Sequence, residues 1–202
     1  MWRTVTFVGL TAVFIGYLSV WLPGPAVGLS FLGVELGEWI KFMGVGGARN
    51  WFYLPPITLG WSLALLSVGW QNGRWQTWAW RGLALAVSLL SFPAIAAILD
   101  EPPSEWLLRL LLIGSVGMLA GLTAVWPRHL PHWPIIVVLG VIGVAMPTWF
   151  YFQVRPLVAN AVGVKIGVGM GVWLNGAGHL LLAAAVWLEN RGSSYWLLDN
   201  NQ

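Results

Sequence analysis

Six apolar stretches, nearly all closed by tryptophan, leave this chain few ways to fold. They cover about residues 4–22, 51–70, 80–99, 106–126, 133–152 and 166–188. Each is close to the roughly 17–25 mostly apolar residues that a helix needs to cross a bilayer. Trp51, Trp70, Trp80, Trp106, Trp126 and Trp133 stand at or beside the ends, with Trp2, Trp21, Trp149 and Trp187 nearby. Tryptophan gathers at membrane interfaces because its ring is apolar and its N–H needs a polar partner. Hydropathy and tryptophan placement are independent signals, and here they agree.

Composition points the same way. Of 202 residues, 58% are hydrophobic and 8% charged. A soluble domain carries about 25% charged residues, because water must be met with polar groups. The expected fold is therefore an all-α integral membrane bundle of about six transmembrane helices in one domain spanning 1–202. The net charge of +3 comes from scattered arginines, so no nucleic-acid footprint is read. The chain has no cysteine, which excludes disulfides, thiolate metal sites and cysteine nucleophiles.

The first stretch stops at Pro23, Gly24 and Pro25. Trp21, Leu22 and Pro23 make a poor cleavage context, where small residues are required, so the stretch reads as an uncleaved span. Residues 29–43 are ambiguous. Leu32, Leu36, Trp39, Ile40 and Met43 follow helical spacing, with Glu35, Glu38 and Lys41 roughly opposite. That pattern predicts an amphipathic helix on the interface between the first two spans, with a re-entrant segment as the alternative.

Six spans place both termini on one side, with Arg3, Arg74, Arg81, Arg128 and Arg191. The other side holds Lys41, Arg49, Arg109, Arg155 and Lys165. The balance is five to five, and the expectation is a bacterial-type cell membrane with cytoplasmic termini.

Candidate functional residues are few. On the sixth stretch Gly163, Gly167 and Gly171 are four apart, a small-residue face that admits a neighbouring helix. Asn175 and His179 continue along nearly the same face and must meet protein or water. They read as a helix-packing pair or as a ligand-binding or proton-relay pair. Secondary candidates are Glu35, Glu38, Arg49, Arg109 and Arg155. Arg109 follows Glu105 by four residues, a spacing that predicts a local ion pair. Gly44 to Gly47, Arg49, Asp100, Glu101, Arg109, Arg155 and the prolines Pro55, Pro56, Pro93 and Pro147 fall in the half opposite the termini, where a site is expected first. His129 and His132 are three apart, but two histidines in a proline-rich turn are an incomplete metal site, so neither a metal nor a catalytic residue is assigned. Aromatic content suits a pigment or haem, yet no ligand pair is specific enough to name a cofactor.

Three function classes follow. The partners expected of the chain are the lipid bilayer and other membrane subunits or further copies of itself, and the first class is a non-catalytic membrane subunit or accessory protein of a larger complex. The second is a small transporter or its substrate-binding component; the six-helix plan and size are similar to those of the substrate-binding subunits of energy-coupled vitamin importers. The third is an intramembrane enzyme using Glu35, Glu38 or His179.

Overall fold

Residues 54–66 begin Leu-Pro-Pro, and proline in a first helical turn loses no intrahelical hydrogen bond. In the computed structural model, which describes residues 2–24, 30–127 and 130–199, they form helix α3 (Leu54–Leu66). All of its residues except Trp61 and Leu66 are buried. It is the central helix, with four other α-helices packed closely against it. Arg128 and His129 lie outside the described residues, as does Leu29 at the start of the ambiguous segment.

Eight α-helices build the chain among the described residues. Helix α1 (Trp2–Leu18) lies antiparallel to α8 (Met170–Asp199). Glycines make this pairing possible. A Cβ on Gly9 would sit 2.9 Å from the Gly178 carbonyl oxygen, and one on Gly16 would sit 3.0 Å from that of Gly171. The backbones thus meet once every seven residues, two helical turns, on both partners. Helix α7 (Trp133–Val162) packs against α8 through Gly140 and Gly143, where a Cβ would strike Ala183 and the His179 ring. Pro147 and Pro156 lie inside α7, which ends at Gly163 in the left-handed conformation, φ 75°.

Helices α7 and α8 are each long and apolar enough to cross a membrane. Helices α1 and α6 (Leu107–Leu122) are apolar but shorter, at 17 and 16 residues. The third stretch is not one helix. Helix α4 (Trp75–Ser88) tightens into a 3-10 turn, Leu89–Ser91, and breaks at Phe92, Pro93 and Ala94; helix α5 (Ile95–Asp100) follows. Pro93 has no N–H to continue the helix and disfavours helical backbone at Phe92, whose φ and ψ are −65° and 130°.

Two expectations need correction. Val20–Leu22, placed in the first span by hydropathy, is a strand (β1) paired antiparallel with Phe31–Leu32 (β2). Residues 29–43 do not form one amphipathic helix. After β2, helix α2 (Gly33–Trp39) gives way to a 3-10 turn, Ile40–Met43, and a longer 3-10 helix, Gly46–Tyr53. Leu36 and Ile40 are buried, but Trp39, Phe42 and Met43 are exposed, so the apolar face is rotated from the one that spacing predicts. Glu38 explains the rotation: it turns inward to buried arginines. Trp21 also departs from the interfacial belt. It is fully buried, donates Nε1–H to the Gly16 carbonyl at 2.9 Å, and meets Phe52 and Tyr151 edge-on.

Candidate functional site, a buried ion-pair cluster

Arginine is rarely buried without a carboxylate, because desolvating a charge costs several kcal/mol. Here Arg49 and Arg109 are each only 1% exposed. Arg109, in the first turn of α6, donates Nη1–H to Glu38 Oε1 at 2.7 Å. The Tyr53 hydroxyl donates to the same oxygen at 2.6 Å, and the Arg109 guanidinium lies over the Tyr53 ring, 4.2 Å from its centroid. Charge-assisted hydrogen bonds and cation–π contact both strengthen in a water-poor setting.

Arg49 sits in the 3-10 helix between α2 and α3. Its Nη2 reaches Glu101 Oε2 at 3.1 Å and Glu105 Oε2 at 3.0 Å, and its Nη1 is 3.7 Å from Glu38 Oε2. Lys41 closes the rim at 3.0 Å from Glu101 and 3.7 Å from Glu38. Three cations thus balance three carboxylates. They tie residues 33–53 to the α5–α6 turn and to α6 itself. Ser91, in the 3-10 turn that follows α4, donates to the Tyr53 carbonyl at 2.9 Å and joins the broken helix to the same region.

Burial alone would raise the Glu38 pKa. The hydrogen bonds from Tyr53 and Arg109 and the charges of Arg109 and Arg49 outweigh it, so the carboxyl sits below its ordinary value. For Glu101 the hydrogen bond from Lys41 comes first; burial opposes it, and with the hydrogen bond from Arg49 and the charges of both cations the pKa is lowered as well. A carboxylate with a depressed folded pKa stabilises the fold above its unfolded value, and that stability is lost as pH falls through the folded value. Melting temperature in mild detergent is therefore expected to hold from about pH 7 to about pH 5 and to fall below about pH 4. Glu101→Gln should shrink the acid-induced drop; an unchanged profile would deny Glu101 that role.

A second buried network lies among α3, α7 and α8. His179 Nδ1 is 3.0 Å from the Asn175 carbonyl oxygen, and its Nε2 is 2.8 Å from Thr58 Oγ1. A carbonyl only accepts, so Nδ1 carries a proton; the Thr58 hydroxyl that meets Nε2 also lies 2.9 and 3.0 Å from the Leu54 and Pro55 carbonyl oxygens, to which its single proton can go instead. The Asn175 amide donates to the Gly143 carbonyl at 3.1 Å. These side chains bridge three helices. His179→Ala is expected to cost about 2–4 kcal/mol, from the cavity and the broken hydrogen bonds. Thermal unfolding in detergent measures it, and a loss below about 0.5 kcal/mol would contradict a packing role.

The sequence candidates thus divide. Glu38, Arg49 and Arg109 converge; Arg155 instead donates Nε–H to the Ile166 carbonyl at 2.6 Å, closing the α7–α8 turn. Glu35 is exposed and accepts from the Leu32 N–H at 3.3 Å, capping α2. Arg109 does not pair with Glu105, as local spacing suggests; Glu105 serves Arg49, and Arg109 serves Glu38. Asn175 and His179 both pack inward. Gly171 meets Trp21 and the Gly16 carbonyl, whereas Gly163 and Gly167 precede α8 and line no helix face. Sequence reasoning missed the parts of Tyr53, Thr58 and Gly143; only the heptad spacings of Gly9 with Gly16 and Gly171 with Gly178 carried a readable signal.

Among the described residues, no three His, Cys, Asp or Glu side chains are grouped to hold a metal ion. No protein-family model, curated protein or solved structure matches this chain.

Proposed function

We propose that this chain is a multi-pass integral membrane protein, acting as a non-catalytic subunit or accessory protein of a larger membrane complex. In this reading α1, α3, α4, α6, α7 and α8 are the six spans. The segment from α2 to Tyr53 caps the face opposite the termini, and both termini are cytoplasmic in a bacterial-type cell membrane.

One observation carries the proposal: large apolar side chains cover the outside of the bundle, while polar side chains are buried within its apolar core. His179, Asn175, Thr58, Arg49 and Arg109 are buried, while Phe14, Leu83, Leu111, Met118, Val138, Val141 and Leu180 are exposed. Outward apolar side chains on α1, α4, α6, α7 and α8 suit hydrocarbon and resist water. His179, Asn175 and Thr58 are engaged in ties between helices and line none of the three cavities described, near 600, 370 and 250 Å³; Arg49 lines the third with Lys41, Glu101 and Glu105, whose charges pair with one another. That arrangement favours a scaffold over a catalyst.

Purification from native membranes in mild detergent, followed by mass spectrometry, tests the subunit reading. It expects stoichiometric partner proteins; a lone monomer or homo-oligomer would sink it. One observation favours transport as a second reading. Helix α4 breaks at Pro93 beside a buried charge cluster, and broken helices next to charged groups form substrate sites in transporters. A cysteine at Glu35 discriminates: labelling by an impermeant reagent fits a surface cap, and protection fits a segment buried at membrane depth.

A further inference from the structure

We propose that the groove between the end of α7 and the segment leading into α8 binds one anionic phospholipid, its phosphate held between Arg155 and Lys165. The site rests on the membrane reading above.

The chain folds back on itself here. Beyond Gly163 it returns along the last turns of α7. The Tyr151 hydroxyl donates to the Gly167 carbonyl at 2.9 Å, and Arg155 donates Nε–H to the Ile166 carbonyl at 2.6 Å. Tyr151 and Ile166 are buried, which fixes the fold-back. A groove near 370 Å³ is left, lined by Phe152, Arg155, Pro156, Ala159, Lys165 and Ile166. That is within the roughly 300–1,000 Å³ of small-molecule sites.

The charge in the groove is of one sign. Arg155 and Lys165 are its two ionisable residues, and no carboxylate lines it. Among the described residues, neither cation forms a salt bridge. The bond to Ile166 uses only Nε and holds the guanidinium plane in place, so both terminal nitrogens are left to a ligand. Lys165 is exposed beside it. In the buried cluster every cation meets a carboxylate; this groove has the cations and lacks the anion. A phosphate supplies it, with oxygens that accept from both side chains.

Depth and the apolar wall select a lipid over a free anion. Trp133 and Arg155 stand about 33 Å apart along α7 at about 1.5 Å per residue, against roughly 30 Å of hydrocarbon. With Trp133 in one interface, Arg155 reaches the headgroups of the other. Val138, Val141, Trp149, Phe152 and Pro156 recur at helical spacing on one outward face of α7, and all are exposed. This stripe runs from the bilayer interior to the groove, where an acyl chain lies once the phosphate is seated. A zwitterionic headgroup would bring its ammonium against two cations, so the chemistry favours a phosphoglycerol-type headgroup.

Native mass spectrometry of the detergent-purified, delipidated protein tests this. The probes are dioleoyl phosphatidylglycerol and dioleoyl phosphatidylethanolamine. One phosphatidylglycerol should bind about tenfold more tightly than phosphatidylethanolamine. Lys165→Gln, at an exposed position, should weaken phosphatidylglycerol about fivefold and leave about a twofold preference. Arg74→Gln, an exposed cation at the other end of the bundle, should change neither lipid. Inorganic phosphate at the lipid's concentration should not displace it. Equal binding of the two lipids by the wild type, an unchanged preference in Lys165→Gln, or an equal loss in Arg74→Gln would overturn the site. Displacement by inorganic phosphate would overturn it too, as a soluble-anion site. Vesicle flotation separates this failure from that of the membrane reading. A chain that floats without lipid preference loses only this site; one that does not float loses the membrane reading and the site together.

Discussion

Replacing Glu38 by alanine is expected to cost about 3–5 kcal/mol of stability, the cost of stranding a buried charge. Glu38 supplies the one protein hydrogen bond that Arg109 makes among the described residues, at 2.7 Å. Arg109 is only 1% exposed, so solvent cannot replace the carboxylate without the cap opening. The Tyr53 ring offers some compensation, but a cation–π contact is worth about 1–2 kcal/mol at most here. Tyr53 would lose its 2.6 Å partner at the same time. Pairing the change with Arg109→Leu removes the stranded charge, so the double variant should be more stable than Glu38→Ala alone. Chemical unfolding in detergent reads both. A double variant as unstable as the single one would show that the ion pair is not the source of the loss.

Gly16→Leu should be nearly as damaging, at about 3 kcal/mol or more, the upper end for overpacking. A Cβ at Gly16 would lie 2.5 Å from the backbone nitrogen of Asn175 and 3.0 Å from the Gly171 oxygen. Those are backbone atoms of a long helix and cannot swing aside, so α1 and α8 must separate. Separation would also strain Trp21, which donates to the Gly16 carbonyl. Gly167→Leu is the contrast. Gly167 is exposed, with only Pro23 Cγ near, at 3.7 Å, so its variant should stay within about 0.5 kcal/mol of the parent. Four-residue glycine spacing suggested the opposite, and comparing the two variants separates the alternatives.

This contrast shows which parts of the fold were legible. Apolar runs and tryptophan ends located most of the long helices, because hydropathy is a property of single segments. The glycine contact depends on a partner. Two antiparallel helices that touch every second turn reward glycines seven apart, and neither helix alone reveals that its neighbour carries the matching pair. The ion-pair cluster was hidden for the same reason. Arg109 and Glu38 are 71 residues apart, while Glu105 stands one turn from Arg109 and looks like its partner. What could be read was the gathering of glycine, proline and charge in the half opposite the termini, where the cluster lies. The rotation of the α2 face was not legible, since spacing alone turns Glu38 outward and only the buried arginines draw it in.

Topology in a sealed membrane tests the central claim most directly. The native chain lacks cysteine, so single cysteines can be placed without background. Gly73 and Gly47 have open space around a Cβ and lie at opposite ends of the bundle; Leu111 is exposed on the apolar surface of α6. With an impermeant thiol reagent on oriented vesicles, Gly73→Cys and Gly47→Cys are expected to label from opposite sides, and Leu111→Cys from neither. Labelling of all three from one side, or recovery of the chain in the soluble fraction, would contradict a six-span membrane protein.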